Sequence, residues 1–213
     1  MKIALIIENS QAAKSQTVYK ALKSVAEPQG HTVSHYGMYG ADDNESLTYV
    51  MNGLLAGLLI NSGAADFIVT GCGTGMGSML ACNAMPNVVC GLVIDPTDAF
   101  LFGQINDGNA MSMPYAKGFG WAAELNLQDC YRKLFEIERG VGYPKERAEI
   151  MATNRNIFSE VKAAATQDML TVLKSVDQTL LKSAIAGKNF EELFFANATD
   201  KALISYVKEL LAA

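Results

Sequence analysis

One cysteine lies within a glycine-rich turn near the middle of the chain. Residues 67–78 read FIVTGCGTGMGS, so that an apolar run leads directly into Cys72 and four alternate glycines. Glycines in such a turn let successive backbone N–H groups point at one negatively charged oxygen, and a helix beginning near Gly77 would add the positive end of its dipole. The same surroundings lower the pKa of a thiol. We therefore predict that Cys72 is a thiolate base or nucleophile, against the alternative of a small buried apolar residue.

The turn lacks the residues that common phosphate-binding motifs require. A Walker loop needs a lysine followed by serine or threonine after its last glycine, where this chain has Ser78 and Met79. A GxGxxG dinucleotide motif needs glycine where the chain has Met76 or Ser78. A cysteine with an anion-binding turn suits removal of a proton next to a carbonyl group, because the N–H groups stabilise the enediolate oxygen that develops.

Two other polar segments follow or precede predicted strands. Glu8-Asn9-Ser10 ends the first apolar run, where a carboxylate either contacts a ligand or caps the following helix. Asn106 and Asp107 lie in a polar segment, 104–109, and their residue types suit either a turn or the binding of substrate hydroxyls. The sequence leaves both pairs of alternatives open.

Composition excludes several classes of function. Hydrophobic residues make up 50% of the 213 residues and charged residues 18%, which allows a large core. No apolar run approaches the length of a membrane span, no secretory signal is recognisable, and the four cysteines lack CxxC spacing, so we expect a cytoplasmic protein with reduced thiols. A net charge of −5 without a basic cluster argues against nucleic acid as a partner, and two histidines distant from any cysteine pair argue against a metal site.

The elements that would position Cys72 alternate between strand and helix. Strands are predicted at 2–8, 32–36, 67–70, 88–94 and 110–113, and helices at 11–27, 47–61, 78–84, 97–105 and 118–138. This pattern predicts an α/β fold with a parallel sheet covered on both faces and functional loops at the carboxyl ends of the strands. Residues 1–140 form this domain, and 141–213 are predicted to be a helical extension that packs on it or on a partner subunit.

The run Cys72-Gly73-Thr74-Gly75-Met76-Gly77, followed by Asn106-Asp107, resembles the family of type B ribose-5-phosphate isomerases and galactose-6-phosphate isomerases over roughly residues 1–140. The resemblance implies a Rossmann-like three-layer α/β/α fold, a homodimer or homotetramer with sites between subunits, a sugar phosphate substrate, and neither metal nor organic cofactor. It implies that Cys72 moves a proton between C1 and C2, with Thr74 beside the reacting oxygens. The implied substrate-binding residues are Glu8, Asn9, Gly71, Gly73, Gly75, Met76, Gly77, Ser78, Asn106 and Asp107.

Two histidines of that family's pattern are absent. Asn9 and Ile105 stand where the family has the histidines associated with the phosphate end and with ring opening. Basic residues that could bind a phosphate from the partner subunit are Lys145 and Arg147. Three functions remain open at this point: an isomerase of a phosphorylated sugar, an isomerase of an unphosphorylated or acidic sugar, and a sugar-phosphate sensor without turnover. An intact Cys72 and glycine turn favour an enzyme.

Overall fold

Five parallel strands form one sheet in the computed structural model, which describes residues 1–212. The strand order is β2-β1-β3-β5-β4, with β3 at the centre. The strands are β1 (Lys2–Ile7), β2 (Thr32–His35), β3 (Phe67–Cys72), β4 (Cys90–Leu92) and β5 (Ala110–Pro114). The helices are α1 (Ser15–Ala26), α2 (Tyr49–Asn61), α3 (Met76–Asn83), α4 (Pro96–Leu101), α5 (Ala123–Phe135), α6 (Ala148–Ala165), α7 (Met169–Ser175), α8 (Gln178–Ile185), α9 (Phe190–Asn197) and α10 (Lys201–Ala212).

The predicted α/β class and all five strands are confirmed, with differences at the element ends. The fourth strand is shorter than the predicted 88–94. The helix predicted over 97–105 ends at Leu101 and continues as a π-helical turn, Phe102–Asn106. The wider turn lets Asp107 adopt a left-handed conformation and redirects the chain into β5.

The strands are apolar throughout because both faces of the sheet are covered. In β1, Ile3, Leu5 and Ile7 pack with α1 and α5, whereas Ala4 and Ile6 point to the opposite face, against α2. Alternate residues of a strand point to opposite faces, so a continuous apolar run is what a sheet between two helical layers requires.

The C-terminal helices α7 to α10 pack on the chain's own α2 layer. Leu173, Phe194 and Val207 join the same buried cluster as Leu55 and Leu59 of α2. This position explains why α2 is apolar all round, since it lies between the sheet and a second helical layer. These helices therefore lie against α2 rather than apart from the sheet and its helices. No helix within residues 1–212 has the length and apolar character needed to cross a membrane.

Helix α6 differs from the other helices because none of its residues is buried. Its exposed apolar side chains are Ile150, Ile157, Phe158 and Val161. Each of these four side chains is half exposed or more.

His35, at the end of β2, is a buried neutral imidazole. The N–H of Gly37 donates to its Nδ1 (3.2 Å), which places the ring proton on Nε2, where Ser15 Oγ accepts it (2.7 Å). Ser15 in turn donates to the carbonyl oxygen of Met38 (2.7 Å). Burial lowers the pKa of His35 to about 4, because the charged ring would lose its hydration.

This shift predicts a pH dependence of stability. The unfolded histidine binds a proton below its ordinary pKa and the folded one does not, so the free energy of unfolding is fully retained above pH ~6.5. It should fall by up to roughly 3 kcal/mol as the pH drops toward 4, which urea denaturation at several pH values measures. His35→Gln should flatten this slope, whereas His31→Gln, at a partly exposed position, should retain most of it. An unchanged slope in His35→Gln would contradict the assignment.

Candidate active site

Cys72 ends the central strand, at the carboxyl edge of the sheet. It pairs in register with Pro114 of β5, and its side chain is buried with 8% of the residue exposed. Past the end of both strands the pairing continues, because Tyr115 N–H donates to the carbonyl of Cys72 (2.9 Å) and Ala116 N–H to that of Gly73 (2.9 Å). The thiol is therefore held by a backbone that the sheet itself fixes.

The turn after Cys72 is closed by Gly75, which adopts a left-handed conformation with φ of 75°. Ser112 of β5 donates its hydroxyl to the carbonyl oxygen of Gly75 (2.6 Å), and α3 starts at the next residue, Met76. The helix thus begins one residue before the predicted start near Gly77. Ser112 was not a predicted site residue; its only signal in the sequence is a hydroxyl within an otherwise apolar strand.

The turn that follows Cys72 affects the pKa of its thiol. Burial by itself raises the pKa of the Cys72 thiol, but hydrogen bonds from the N–H and hydroxyl of Ser78 and from the N–H groups of Thr74 and Gly75 outweigh it, and the pKa is lowered. Thr74 is exposed beside the thiol, and its Oγ1 accepts from the N–H of Met76 (3.3 Å).

Glu8 caps the short helix that follows β1. Its carboxylate accepts from the N–H (2.9 Å) and hydroxyl (2.6 Å) of Ser10, and Glu8 is buried. Of the two roles left open by the sequence, the cap is the one the structure shows. Asn9 is exposed and donates to Ser46 Oγ (3.0 Å). Both residues lie at the same edge of the sheet as Cys72, and substrate binding by them stays a prediction.

Asn106 and Asp107 lie at the opposite edge of the same sheet. They precede β5, whose first residue, Ala110, pairs with Ile68, whereas Cys72 pairs with the last residue of that strand. Four residues of strand span about 13 Å, so these side chains and the thiol of one chain do not share a pocket. Asp107 forms an ion pair with Arg139 (2.9 Å), which anchors the loop, and Asn106 is exposed.

The predicted phosphate-binding residues Lys145 and Arg147 are exposed, in a short helix before α6. Asn106 lines an open cleft of about 1010 Å³ between α6 and the amino edge of the sheet. Arg155 of α6 lines the same cleft and donates to the carbonyl oxygens of Ile105 (3.0 Å) and Gly140 (2.9 Å). The predicted site residues thus fall into two separate clusters, one around Cys72 and one around Asn106, which we call the two half-sites.

Two polar residues next to Cys72 were not predicted from the sequence. Gln11 is buried, and its Nε2 lies 3.7 Å from the position that a Cβ on Gly73 would occupy. Lys14 Nζ donates to Gln11 Oε1 (2.8 Å) and to the carbonyl oxygen of Tyr115. This places a cation at the carboxyl edge beside the turn. The signal in the sequence is only their position, three and six residues after Glu8.

Within residues 1–212 no group of three or more His, Cys, Asp or Glu side chains is arranged to hold a metal ion. The Cys72 half-site offers a thiol, hydroxyl groups and backbone N–H groups.

Known proteins resemble this chain in sequence and in structure. A family model described as ribose/galactose isomerase matches residues 3–128, which include the whole sheet and the Cys72 turn. The chain belongs to the ribose/galactose isomerase family. A second model, described as ribose-5-phosphate isomerase, matches residues 164–210 of this isomerase, in the helical extension.

Solved structures extend the comparison to the full length of the isomerase. A 4-deoxy-L-threo-5-hexosulose-uronate ketol-isomerase, complexed with a tartrate, is 55% identical, with full coverage of both chains and a TM-score of 0.98. Ribose-5-phosphate isomerase LacAB_rpiB from Vibrio parahaemolyticus is 50% identical, with 99% of each chain covered and a TM-score of 0.95. The type B ribose 5-phosphate isomerase of Trypanosoma cruzi is 17% identical, covers 78% of this chain and 98% of its own, and has a TM-score of 0.64, which shows a common fold.

Proposed function

We propose that this chain is a ketol isomerase that moves a proton between adjacent carbons of an open-chain sugar, with Cys72 as the base. The observation that carries the proposal is a thiol of lowered pKa at the carboxyl end of the central strand, surrounded by backbone N–H groups. The thiolate removes a proton from the carbon next to the carbonyl, and an enediolate forms. The resulting thiol, whose hydrogen exchanges with solvent, gives a proton to the neighbouring carbon, so no net proton is consumed.

Thr74 is proposed to lie beside the two reacting oxygens and to pass the hydroxyl proton between them. It is exposed next to the thiol, and its hydroxyl is held near the start of α3 by the N–H of Met76. Backbone N–H groups in this turn are proposed to stabilise the enediolate oxygen that develops.

We propose an acidic sugar as the substrate. Three observations favour it over a sugar phosphate: no imidazole is present at positions 9 and 105, Lys14 places an ammonium group at the Cys72 edge, and a 55% identical relative acts on a hexosulose uronate. The name of that compound describes a chain with an aldehyde, a ketone and a terminal carboxylate. An ammonium has three donors, two of which Lys14 uses within the chain, which leaves one for a carboxylate.

A phosphorylated sugar is the second candidate, because the Vibrio parahaemolyticus relative is named a ribose-5-phosphate isomerase and is 50% identical. Both candidates are tested by incubating the enzyme in D₂O with 4-deoxy-L-threo-5-hexosulose uronate or with ribose 5-phosphate, and following the carbon-bound protons by NMR. Turnover of the uronate with deuterium incorporation at the carbon next to the carbonyl is the expected result. Turnover of ribose 5-phosphate alone would replace the acidic-sugar proposal by the second candidate, and turnover of neither would reject both.

The separation of the two half-sites supports the proposal that the complete site lies between two chains. Asn106 of one chain cannot reach Cys72 of the same chain, and its loop is anchored by Arg139 and Arg155 in a fixed conformation. Exposed apolar residues on α6, together with Met76 and Leu80 on α3, border the two half-sites and need a covering surface. We propose a homodimer or homotetramer in which Asn106 of a partner contacts the substrate held at Cys72.

Mixing two inactive variants tests this arrangement. Cys72→Ala and Asn106→Ala enzymes, each with strongly reduced activity alone, are unfolded together and refolded at equal concentrations. Random pairing in a dimer places one intact site in half of the dimers, so about a quarter of the wild-type activity should return. Both substitutions leave the fold intact by design, since Asn106 is exposed and Cys72→Ala removes one atom.

The control is a mixture of Cys72→Ala with Cys72→Ser, which has no route to an intact site and should stay inactive. Recovery no greater than the sum of the two separate activities would contradict a shared site.

A further inference from the structure

Gln11 has an amide N–H group without an acceptor. The residue follows β1 at the carboxyl edge of the sheet and is buried, with 7% of its surface exposed. Its Nε2 carries two hydrogens, one of which it donates to Ser10 Oγ (3.0 Å). Within residues 1–212 the second hydrogen has no acceptor. A buried donor in this condition is unfavourable, so the amide is suited to donate to an oxygen of a ligand.

A chain of hydrogen bonds fixes the orientation of this amide. Lys14 Nζ can only donate, and it donates to Gln11 Oε1 (2.8 Å), so the amide oxygen faces the lysine. Ser10 donates its hydroxyl proton to Glu8 Oε1 (2.6 Å), which leaves its own oxygen to accept from Gln11. Because both ends of the planar amide are bound, the second hydrogen on Nε2 keeps one direction.

The amide and the ammonium group lie together beside the Cys72 turn. Gln11 Nε2 is 3.7 Å from the position that a Cβ on Gly73 would occupy, and Gly73 directly follows Cys72. Lys14 donates to Gln11 and to the carbonyl oxygen of Tyr115, which leaves its ammonium one further donor. The ring of Phe119 lies 4.9 Å from Lys14 Nζ and reduces the access of water to it. Two free donors, one of them charged, are therefore available on neighbouring side chains.

We propose that Gln11 is a specificity-determining residue that binds the substrate carboxylate together with Lys14. The amide N–H donates to one carboxylate oxygen and the ammonium to the other. This proposal rests on the proposed function, in which the substrate is an acidic sugar. A carboxylate suits both donors because its two oxygens only accept hydrogen bonds. Glu8 does not occupy these donors, since its carboxylate is bound by the hydroxyl and the N–H of Ser10.

Two variants of Gln11 test the proposal by steady-state kinetics with 4-deoxy-L-threo-5-hexosulose uronate. Gln11→Met removes the donor at similar length and should raise KM roughly 10- to 100-fold, the usual value of one hydrogen bond to a charged group. Gln11→Glu keeps an acceptor for Lys14 but repels the substrate carboxylate, so its KM should be higher still. In Gln11→Met kcat should stay within about threefold of wild type, because the lost contact binds substrate and transition state alike.

The methyl ester of the same sugar lacks the negative charge and separates carboxylate binding from a general effect on the site. Gln11→Met should change the KM of the ester little. Gln128→Met and Gln128→Glu are the matched controls, because Gln128 is partly exposed on α5, where it donates to Ser24 Oγ (3.2 Å). They should leave KM and kcat for the uronate unchanged.

Three results would overturn the proposal: an unchanged KM for the uronate in Gln11→Met, an equal rise for uronate and ester, or a fall in kcat at constant KM. The last result would place Gln11 at the reacting carbons instead. If Gln11→Glu does not fold, as circular dichroism would show, Gln11→Met decides alone because it adds no charge. Failure of the acidic-sugar proposal itself is distinguishable, since the wild-type enzyme would then not turn over the uronate at all.

Discussion

Replacing Cys72 by alanine is expected to lower kcat by about 10²- to 10⁴-fold, the usual contribution of a positioned general base. The physical reason is that no other proton acceptor is placed at the end of β3. Glu8, which follows the neighbouring strand β1, already accepts two hydrogen bonds from Ser10. Substrate binding should largely survive, because the backbone of the turn is held by β5 through Tyr115 and Ala116. Steady-state kinetics give the loss in kcat, and calorimetric titration with substrate gives the binding constant.

Cys72→Ser and Cys130→Ala complete this experiment. A serine hydroxyl keeps the shape but ionises far less readily than a thiol, so Cys72→Ser should be nearly as slow as Cys72→Ala. Cys130 is also buried, but it lies in α5, where burial and nearby carboxylates raise its pKa, and its replacement should leave turnover unchanged. Near wild-type turnover in Cys72→Ala would show that another group is the base.

The sheet could be predicted from the sequence because each strand is recognisable from its own residues. Each strand is a short apolar run between polar segments, and a run that is apolar at every position has to be covered on both faces. The π-helical turn at Phe102–Asn106 could not be predicted in this way. The apolar pattern through Phe102 is the same for an α-helix and a wider turn, and the choice depends on contacts with β5 and with Arg155.

The cluster around Cys72 could be proposed as a site from the sequence because a strand, a thiol and glycines are adjacent there. The sequence could not show which contacts each polar side chain makes. Glu8 is equally suited to a ligand and to a cap, and only the position of Ser10 decides for the cap. Lys14 and Ser112 reach the turn through tertiary contacts, to Tyr115 and Gly75, that no spacing in the sequence encodes.

Asn106 lies at the edge of the sheet opposite to Cys72. In a parallel sheet, a loop before a strand and a loop after a strand lie at opposite edges. Cys72 ends β3 and Asn106 precedes β5, so the element order alone predicts that they lie at opposite edges. The resemblance to the isomerase family groups these residues in one site, and the two facts are compatible if different chains supply them. The experiment that mixes two inactive variants therefore tests whether two chains together form the site, as well as whether both residues are needed for activity.

The four glycines of the turn are in different environments in the structure. Gly75 is the one with a left-handed conformation. Gly71 is needed for close packing, because a Cβ there would lie 2.3 Å from the carbonyl oxygen of Met113 and 2.4 Å from a ring carbon of Tyr115. Gly73 has more room, since its nearest neighbours would be 3.6 Å and 3.7 Å away.

Gly71→Ala is accordingly expected to destabilise the fold by about 3 kcal/mol, which is at the upper end of the usual cost of overpacking. The reason is that the oxygen of Met113 belongs to a strand paired on both sides and cannot move aside. For a chain of this length that loss of stability corresponds to a melting temperature lower by roughly 6 to 12 °C. Gly120→Ala is the matched control, as no atom lies within 4 Å of its added methyl group, and it should melt within about 2 °C of wild type. Thermal unfolding followed by circular dichroism measures both variants. Equal melting temperatures would mean that β3 and Tyr115 are not packed as closely as described, and the backbone that positions Cys72 would then have to be held by the Gly75 turn alone.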